Sequence, residues 1–248
     1  MPVSARQAAR ERPATMRVGI IQSNYLPWRG YFDIIDDVDL FLLHDDLQFT
    51  KGDWRNRNRL RTPQGSRWFT VPVHYRHTAQ RIAETEIDYT RDWRREHVQL
   101  LRTHLGSAPF VADVLDLVVP EFEARPETIS ALNAALIRRV CRYLGIATRI
   151  RFTSEFAVTG AKTERLLALL TATGATTYLS GPSAAAYLDE ARLAGAGIRL
   201  EYKQYDYPAY PQAFDGFDGA VSVVDLIANC GPAARDLMTS RSASVRAA

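Results

Sequence analysis

Two adjacent carboxylates, Asp45 and Asp46, close the apolar run DLFLLHD, and the segment HDDLQFTKGDWRNRNRLR (44–61) then sets Lys51, Arg55, Arg57, Arg59 and Arg61 among Trp54, Asn56 and Asn58. Cations interleaved with amides and an indole suit an anionic, ring-bearing ligand such as a nucleotide, with guanidinium forks on phosphate and Trp54 stacked on the ring. Asp45 or Asp46 could then act as a base, hold a divalent cation with substrate oxygens, or simply neutralise the arginines. The plainer alternative is a solvated basic loop. In GIIQSNYLPWRGYFDII (19–35) the polar Gln22, Ser23 and Asn24 come directly off a strand, at the carboxyl end where open α/β sheets place their ligands. Gln22, Asn24 and Tyr25 are there to orient an acceptor, and a helix starting near Gly30 points its amide groups at the same crevice. Against this, Pro27 and Gly30 could merely shape a turn, with Tyr25, Trp28 and Tyr31 filling core.

Three further stretches repeat the theme of polar residues at a turn. In YLSGPSAAAYLD (178–189), Ser180, Gly181 and Ser183 lie between a strand and a helix; Ser183 suits an N-cap and Gly181 a close backbone approach to ligand, although no Walker lysine accompanies them. KQYDYPAYPQAFDGF (203–217) is too rich in Pro and Tyr for a helix or central strand, so Tyr205, Asp206, Tyr207, Tyr210 and Gln212 are expected on a ligand-facing loop. VSVVDLIANCGP (221–232) reads as a helix with Asp225 and Asn229 four apart on one face. The histidines, His44, His74, His77, His97 and His104, include no HExxH pair, and no G-x-S-x-G occurs, which argues against a zinc enzyme and an α/β-hydrolase. No metal site is assigned and no cofactor is identified.

These residues need a scaffold, and its pattern is legible. RVGIIQS (17–23), a helix through GYFDIIDDV and DLFLLHD (39–45) make a parallel β-α-β crossover. WFTVPV (68–73) alternates as a strand. Helices follow from Arg91 to Gly106, over 111–119 and over 126–145, then strand 149–152, helix 161–172, strand 176–180, a helix from about Ser183 and strand 198–205. With 248 residues, 46% of them hydrophobic, the chain buries a real core and cannot be wholly disordered or collagen-like. The net charge of +3 is too small to mark a nucleic-acid-coating protein, but with Lys51, Lys162 and Lys203 the only lysines, nearly all positive charge is arginine. A GC-rich genome gives the same bias. Cys141 and Cys230 lack paired spacing and are expected as buried thiols in a reducing cytoplasm, and no apolar run is long enough to span a bilayer. Residues 1–16 are expected as a flexible arm, with Met16 an alternative start, 17–240 as one α/β domain and 241–248 as a flexible tail.

QSNYLPWRGYFDII, DLFLLHDDLQF, W-x-N-R-N-R (54–59), YLSGPS-x(3)-YLD, YDYPAYPQ and S-x-x-DL-x-x-NCG, met in this order between about 17 and 235, resemble the WbqC-like family. That resemblance implies a part in bacterial surface-polysaccharide (O-antigen type) or other biosynthetic gene sets, without one agreed reaction. More distantly, a strand, N-x-x-P-x-x-G-x and a helix are similar to the opening of HIGH-type nucleotidyltransferases, which implies a mostly parallel, nucleotidyltransferase-like (HUP-like) α/β sheet, here with a helical insertion. Trp28, Arg29, Gly30 and Tyr31 occupy the signature places. Gly30 fits, both histidines are replaced by aromatics, and Arg29 could supply the lost positive charge. The expectation is a cytoplasmic group-transfer enzyme acting on a phosphorylated or nucleotide-linked precursor, with Arg55, Arg57 and Arg59 on its anionic charge. The alternative is a non-catalytic protein that binds a sugar nucleotide or an RNA segment.

Overall fold

Alternating side chains on the first two strands face two different cores. On β1 (Arg17–Ile21) and β2 (Leu40–Leu43), Val18, Ile20, Leu40 and Leu42 pack into one hydrophobic cluster, while Ile21, Phe41 and Leu43 pack into the other. A strand buried on both sides must have helices or loops over both faces, and period-two alternation gives one chain two cores. The computed structural model describes residues 15–247.

The elements that follow the crossover helix α1 (Arg29–Asp36) and β2 are a hairpin, β3 (Arg57–Thr62) and β4 (Gly65–Thr70), and three helices, α2 (Trp93–Leu105), α3 (Val111–Glu123) and α4 (Ile129–Tyr143). The chain then returns to the alternation with β5 (Arg149–Phe152), α5 (Lys162–Ala172), β6 (Thr177–Ser180), α6 (Glu190–Gly195) and β7 (Arg199–Tyr202), and ends with α7 (Val223–Cys230), α8 (Ala234–Met238) and β8 (Val245–Arg246). The sheet runs β5-β2-β1-β6-β7-β8, parallel except for β8. From β1 the chain moves outward through β2 to β5, then returns to β6 on the other side of β1. Connections on either side of β1 and β6 therefore depart in opposite directions, and a crevice opens above the carboxyl ends of these two strands.

Several boundaries differ from the sequence expectation for local reasons. The basic segment 57–62 is a strand, not a loop: Asn58, Leu60 and Thr62 turn inward and Arg57, Arg59 and Arg61 outward, a period-two pattern that polar inner residues conceal. Helix α4 starts after Thr128, whose hydroxyl accepts from the Ala131 amide at 3.2 Å, rather than at Pro126. Ser183 caps nothing; Pro182–Ala186 is a short 3-10 turn, and α6 begins later under Asp189, which accepts from the Arg192 amide. The end of the chain, expected to be free, lies along β7, where Val245 pairs with Tyr202. The arm expected over 1–16 falls outside the described residues except for its last two, of which Met16 exchanges hydrogen bonds with Thr176.

Candidate functional site

Above the carboxyl ends of β1 and β6 lies a cavity of about 600 Å³. β1 and its exit supply Ile20, Ile21 and Gln22; the exit of β2 supplies His44 and Leu47; Tyr178 comes from β6, and Tyr187 and Leu188 from the turn after it. The remaining wall is the first part of α5, with Lys162, Thr163, Arg165 and Leu166. Lys162 starts that helix with φ at +50°, a left-handed conformation unusual for a residue with a side chain, and Ala161 at the N-cap brings no capping oxygen. The first turns carry mixed charge: Lys162 and Arg165 line the cavity, while Glu164 between them does not line it and lies 3.9 Å from Arg192. Lys162 offers an anion in the cavity a charge with no carboxylate partner among the described residues, and Arg165 a charge shared with Asp46.

Arg165 is held by Asp46, whose carboxylate also accepts from Thr153 Oγ1 at 2.7 Å. His44 Nε2 lies 3.5 Å from the same carboxylate, is buried and has no hydrogen-bond partner. Burial, and then the Arg165 charge, push the His44 imidazole down to about 4, so it is neutral at physiological pH. With leucines, an isoleucine pair and two tyrosines completing the walls, the cavity fits a ligand that has an apolar or aromatic body and an anionic group. Among the described residues, no three His, Cys, Asp or Glu side chains converge as a metal site.

The sequence candidates divide sharply at this point. Gln22 lines the cavity and Asp46 orders its arginine. Asp45 does neither: it is buried, accepting from the Ser23 amide at 2.7 Å and from Ser130 Oγ at 2.5 Å, and thereby ties the β1 exit to α4. A carboxylate consumed by two buried donors is an anchor, not a base. Tyr25 is likewise fully buried, its hydroxyl 2.9 Å from His97 Nδ1 and its phenol pKa raised by burial. Asn24 Oδ1 accepts from Arg55, which also reaches Asp53 at 3.5 Å.

Arg29 is no substitute for the imidazoles of a phosphate cradle. It is 5% exposed, donates to the carbonyls of Pro208 (2.7 Å) and Leu237 (3.1 Å), and lies over the rings of Tyr207, Tyr210 and Phe217. The charge pins the 205–217 loop and α8 to α1. Gly30 is a glycine because the Trp28 indole occupies its side: a Cβ there would come within 2.4 Å of Trp28 Cζ2. Tyr207 donates to Asp33 at 2.8 Å, while Tyr210 and Gln212 both donate to Asp225 at 2.9 Å. Burial raises the Asp225 pKa, and these two donors hold it back. Asn229 donates to the Asp225 carbonyl one helical turn earlier. Ser180 is buried, a Cβ on Gly181 would sit 3.0 Å from Tyr205 Oη, and Ser183 is exposed; none of the three lines the cavity.

Arg57 and Arg59 stand on the outer face of β3. Arg57 lies over Trp68 of β4 at 4.1 Å, Arg59 lies 5.7 Å from both Trp54 and Trp68, and the two indoles are 5.0 Å apart. Of the polar segments singled out in the sequence, 22–31, 44–59 and 205–229 meet at a smaller cavity through Asn24, Trp28, Trp54, Arg59 and Ala220, while Gln22 and His44 face the sheet-edge cavity and 180–183 lines neither. Sequence reading missed Lys162, Thr163, Arg165 and Tyr187 as site residues. The signal in AKTER was faint: two cations flank Glu164 at the start of a helix, the pattern of an ordinary solvated helix end.

A profile of the WbqC-like protein family matches residues 22–237. The chain is 44% identical over 225 residues, 90% of its own length and 97% of the relative's, to "Uncharacterized protein Rv1507c" of Mycobacterium tuberculosis (strain ATCC 25618 / H37Rv). No solved structure matches. The family match spans both the β1-exit loop that lines the cavity and the helix α5 that charges it, and the chain belongs to the WbqC-like protein family.

Proposed function

We propose that the sheet-edge cavity binds a phosphorylated or nucleotide-linked small molecule, and that the protein takes part in group transfer onto a precursor of a surface polysaccharide or specialised metabolite. The observation that carries this reading is the meeting of Lys162, Arg165 and the uncapped end of α5 at the point where the sheet's connections diverge. The strand order supports a nucleotidyltransferase-like layout, with one displacement. Arg29 and Gly30 are occupied by packing at the head of α1, so the anion belongs at the head of α5. The ring or acyl body of the ligand rests on Tyr178, Leu166 and Leu188, with Tyr187 at the exposed mouth.

The test is calorimetric titration with nucleoside phosphates, nucleotide sugars and sugar phosphates, on the native chain and on Arg165→Ala and Lys162→Ala. Affinity for the cognate class should fall at least tenfold in each variant, about 1.4 kcal/mol or more. Equal affinity in all three proteins removes the anion from α5. A second reading, binding without catalysis, draws on Asp45 and Tyr25 being locked in the framework and Asp46 being paired, which leaves the cavity without a free carboxylate. Under that reading the bound ligand is recovered intact after prolonged incubation with every acceptor offered.

A further inference from the structure

We infer that the smaller cavity between Trp28 and Trp54 is a second ligand site, one that takes a single six-membered ring bearing a carboxylate or phosphate. The inference is independent of what the sheet-edge cavity binds. The space is about 210 Å³, room for one ring and a substituent, and its walls are two indoles with Pro27 and Asn58 beneath them. Trp28 is a rigid wall: Gly30 leaves its face covered on one side, and the edges of Tyr205 and Tyr207 meet it at 4.9 and 5.8 Å. Trp54 is 37% exposed and leans on Trp68, so a large aromatic surface stays accessible where core packing would have buried it.

The polar groups of the cavity set the charge of the ligand. Arg59 gives one guanidinium nitrogen to the Ala220 carbonyl at 3.2 Å, while its Nε is buried without a partner. Asn58 is spent: its amide donates to the Tyr25 and Leu26 carbonyls and its oxygen accepts from the Arg59 amide. Asn24 Oδ1 is taken by Arg55. The side chains thus offer donors and few free acceptors, which suits an anionic substituent better than a set of neutral hydroxyls.

The backbone beneath the cavity is held against its own preference. Leu26 has φ at +41°, and its carbonyl accepts from Asn58 at 2.8 Å and from Ser222 Oγ at 2.7 Å, two long-range bonds that fix the strained residue. The position matters because Gln22 lines the sheet-edge cavity and Asn24 lines this one. Two residues of extended chain span at most about 7 Å. Ser23, between them, points into the core toward Asn133. Two ligands held here would face each other across one short loop.

Calorimetry on the full chain tests the inference, with glucose 6-phosphate and galacturonate as sugar rings, 4-hydroxybenzoate as an aromatic ring, and glucose and benzyl alcohol as neutral controls. The expected result is saturable binding of the sugar acids or of the aromatic acid, which names the source of the ring, at least tenfold tighter than the matching neutral control. Trp54→Ala and Arg59→Gln should each weaken that binding tenfold or more, and Arg165→Ala should leave it unchanged. Absence of binding by every acid at millimolar concentration, equal affinity in folded Trp54→Ala and Arg59→Gln, or loss in Arg165→Ala would each overturn the second site. Because Trp54 lies at the surface, circular dichroism of the variant separates a lost ligand site from a lost fold.

Discussion

The sheet-edge cavity and the tryptophan-walled cavity share a wall, the loop 22–24, and are made of different material. The first combines cations at the start of a helix with leucines and tyrosines drawn from four separate segments. The second is indole, amide and one arginine, and almost everything around it belongs to conspicuous runs such as SNYLPWRG and WRNRNR. The difference teaches that a striking motif can be an architectural one. Arg29, Asn58, Tyr210, Gln212 and Asp225 are bound to one another or to backbone, Gly30 makes room for the Trp28 indole, and together they hold two loops and a hairpin around the second cavity. The cations of the first come from AKTERLLALL, which looks like any amphipathic helix.

The comparison can be broken most forcefully at the residue both cavities depend on. Asp45→Ala leaves the Ser23 amide and Ser130 hydroxyl buried without an acceptor and should cost about 3 kcal/mol in denaturant unfolding. It should also weaken ligands at both cavities, since it releases their common loop; an effect confined to one cavity would show that the loop does not join them.

Acid is the next probe. His44 beside the first cavity and His97, packed among Tyr25, Phe69 and Trp93 in the core, are each pushed down to about 4 by burial, against about 6.5 in an unfolded chain. Between those values the unfolded state binds more protons, so stability is complete above about pH 6.5 and is lost as pH falls toward about 4. The limiting slope is about 2.7 kcal/mol per pH unit for two protons. His44→Gln and His97→Gln should each remove one proton from that slope in urea melts across pH, and an unchanged slope in either variant would exclude that histidine.

Arg29→Met keeps the side-chain bulk but removes the donors to Pro208 and Leu237 and the charge over three rings. We expect about 2 kcal/mol of destabilisation, with ligands at the tryptophan-walled cavity weakened more than those at the sheet edge. Smallest in stability is Arg165→Ala. Its pair with Asp46 is partly exposed, so the unfolding free energy should fall by less than about 1 kcal/mol while sheet-edge affinity drops tenfold. A large stability loss with affinity intact would make Arg165 a structural residue like Arg29.

Much of the fold was legible because its signals are local. The β1-α1-β2 crossover, the helices before β5 and the alternation to β7 follow from apolar periodicity and from glycine and proline boundaries. The strand at 57–62 was obscured because its inward residues are mostly asparagine and threonine, which carry no hydrophobic alternation. The start of α6 was misplaced because Ser183 and Asp189 are both good caps, and only packing after β6 chooses between them.

The amino-acid sequence by itself determined the α/β alternation, the polar exits from the strands and the concentration of arginine and tryptophan between 51 and 68, since these depend on neighbours within a turn or a pleat. Only the tertiary structure decided which charges are free. Asp45 and Asp46 are adjacent and chemically identical, yet Ser130 from a distant helix buries one, while Arg165, more than a hundred residues on, holds the other beside a cavity. Whether a carboxylate or a guanidinium is an anchor or a ligand group depends on its desolvation and on the partners that reach it, and both are set by contacts between segments far apart in the chain.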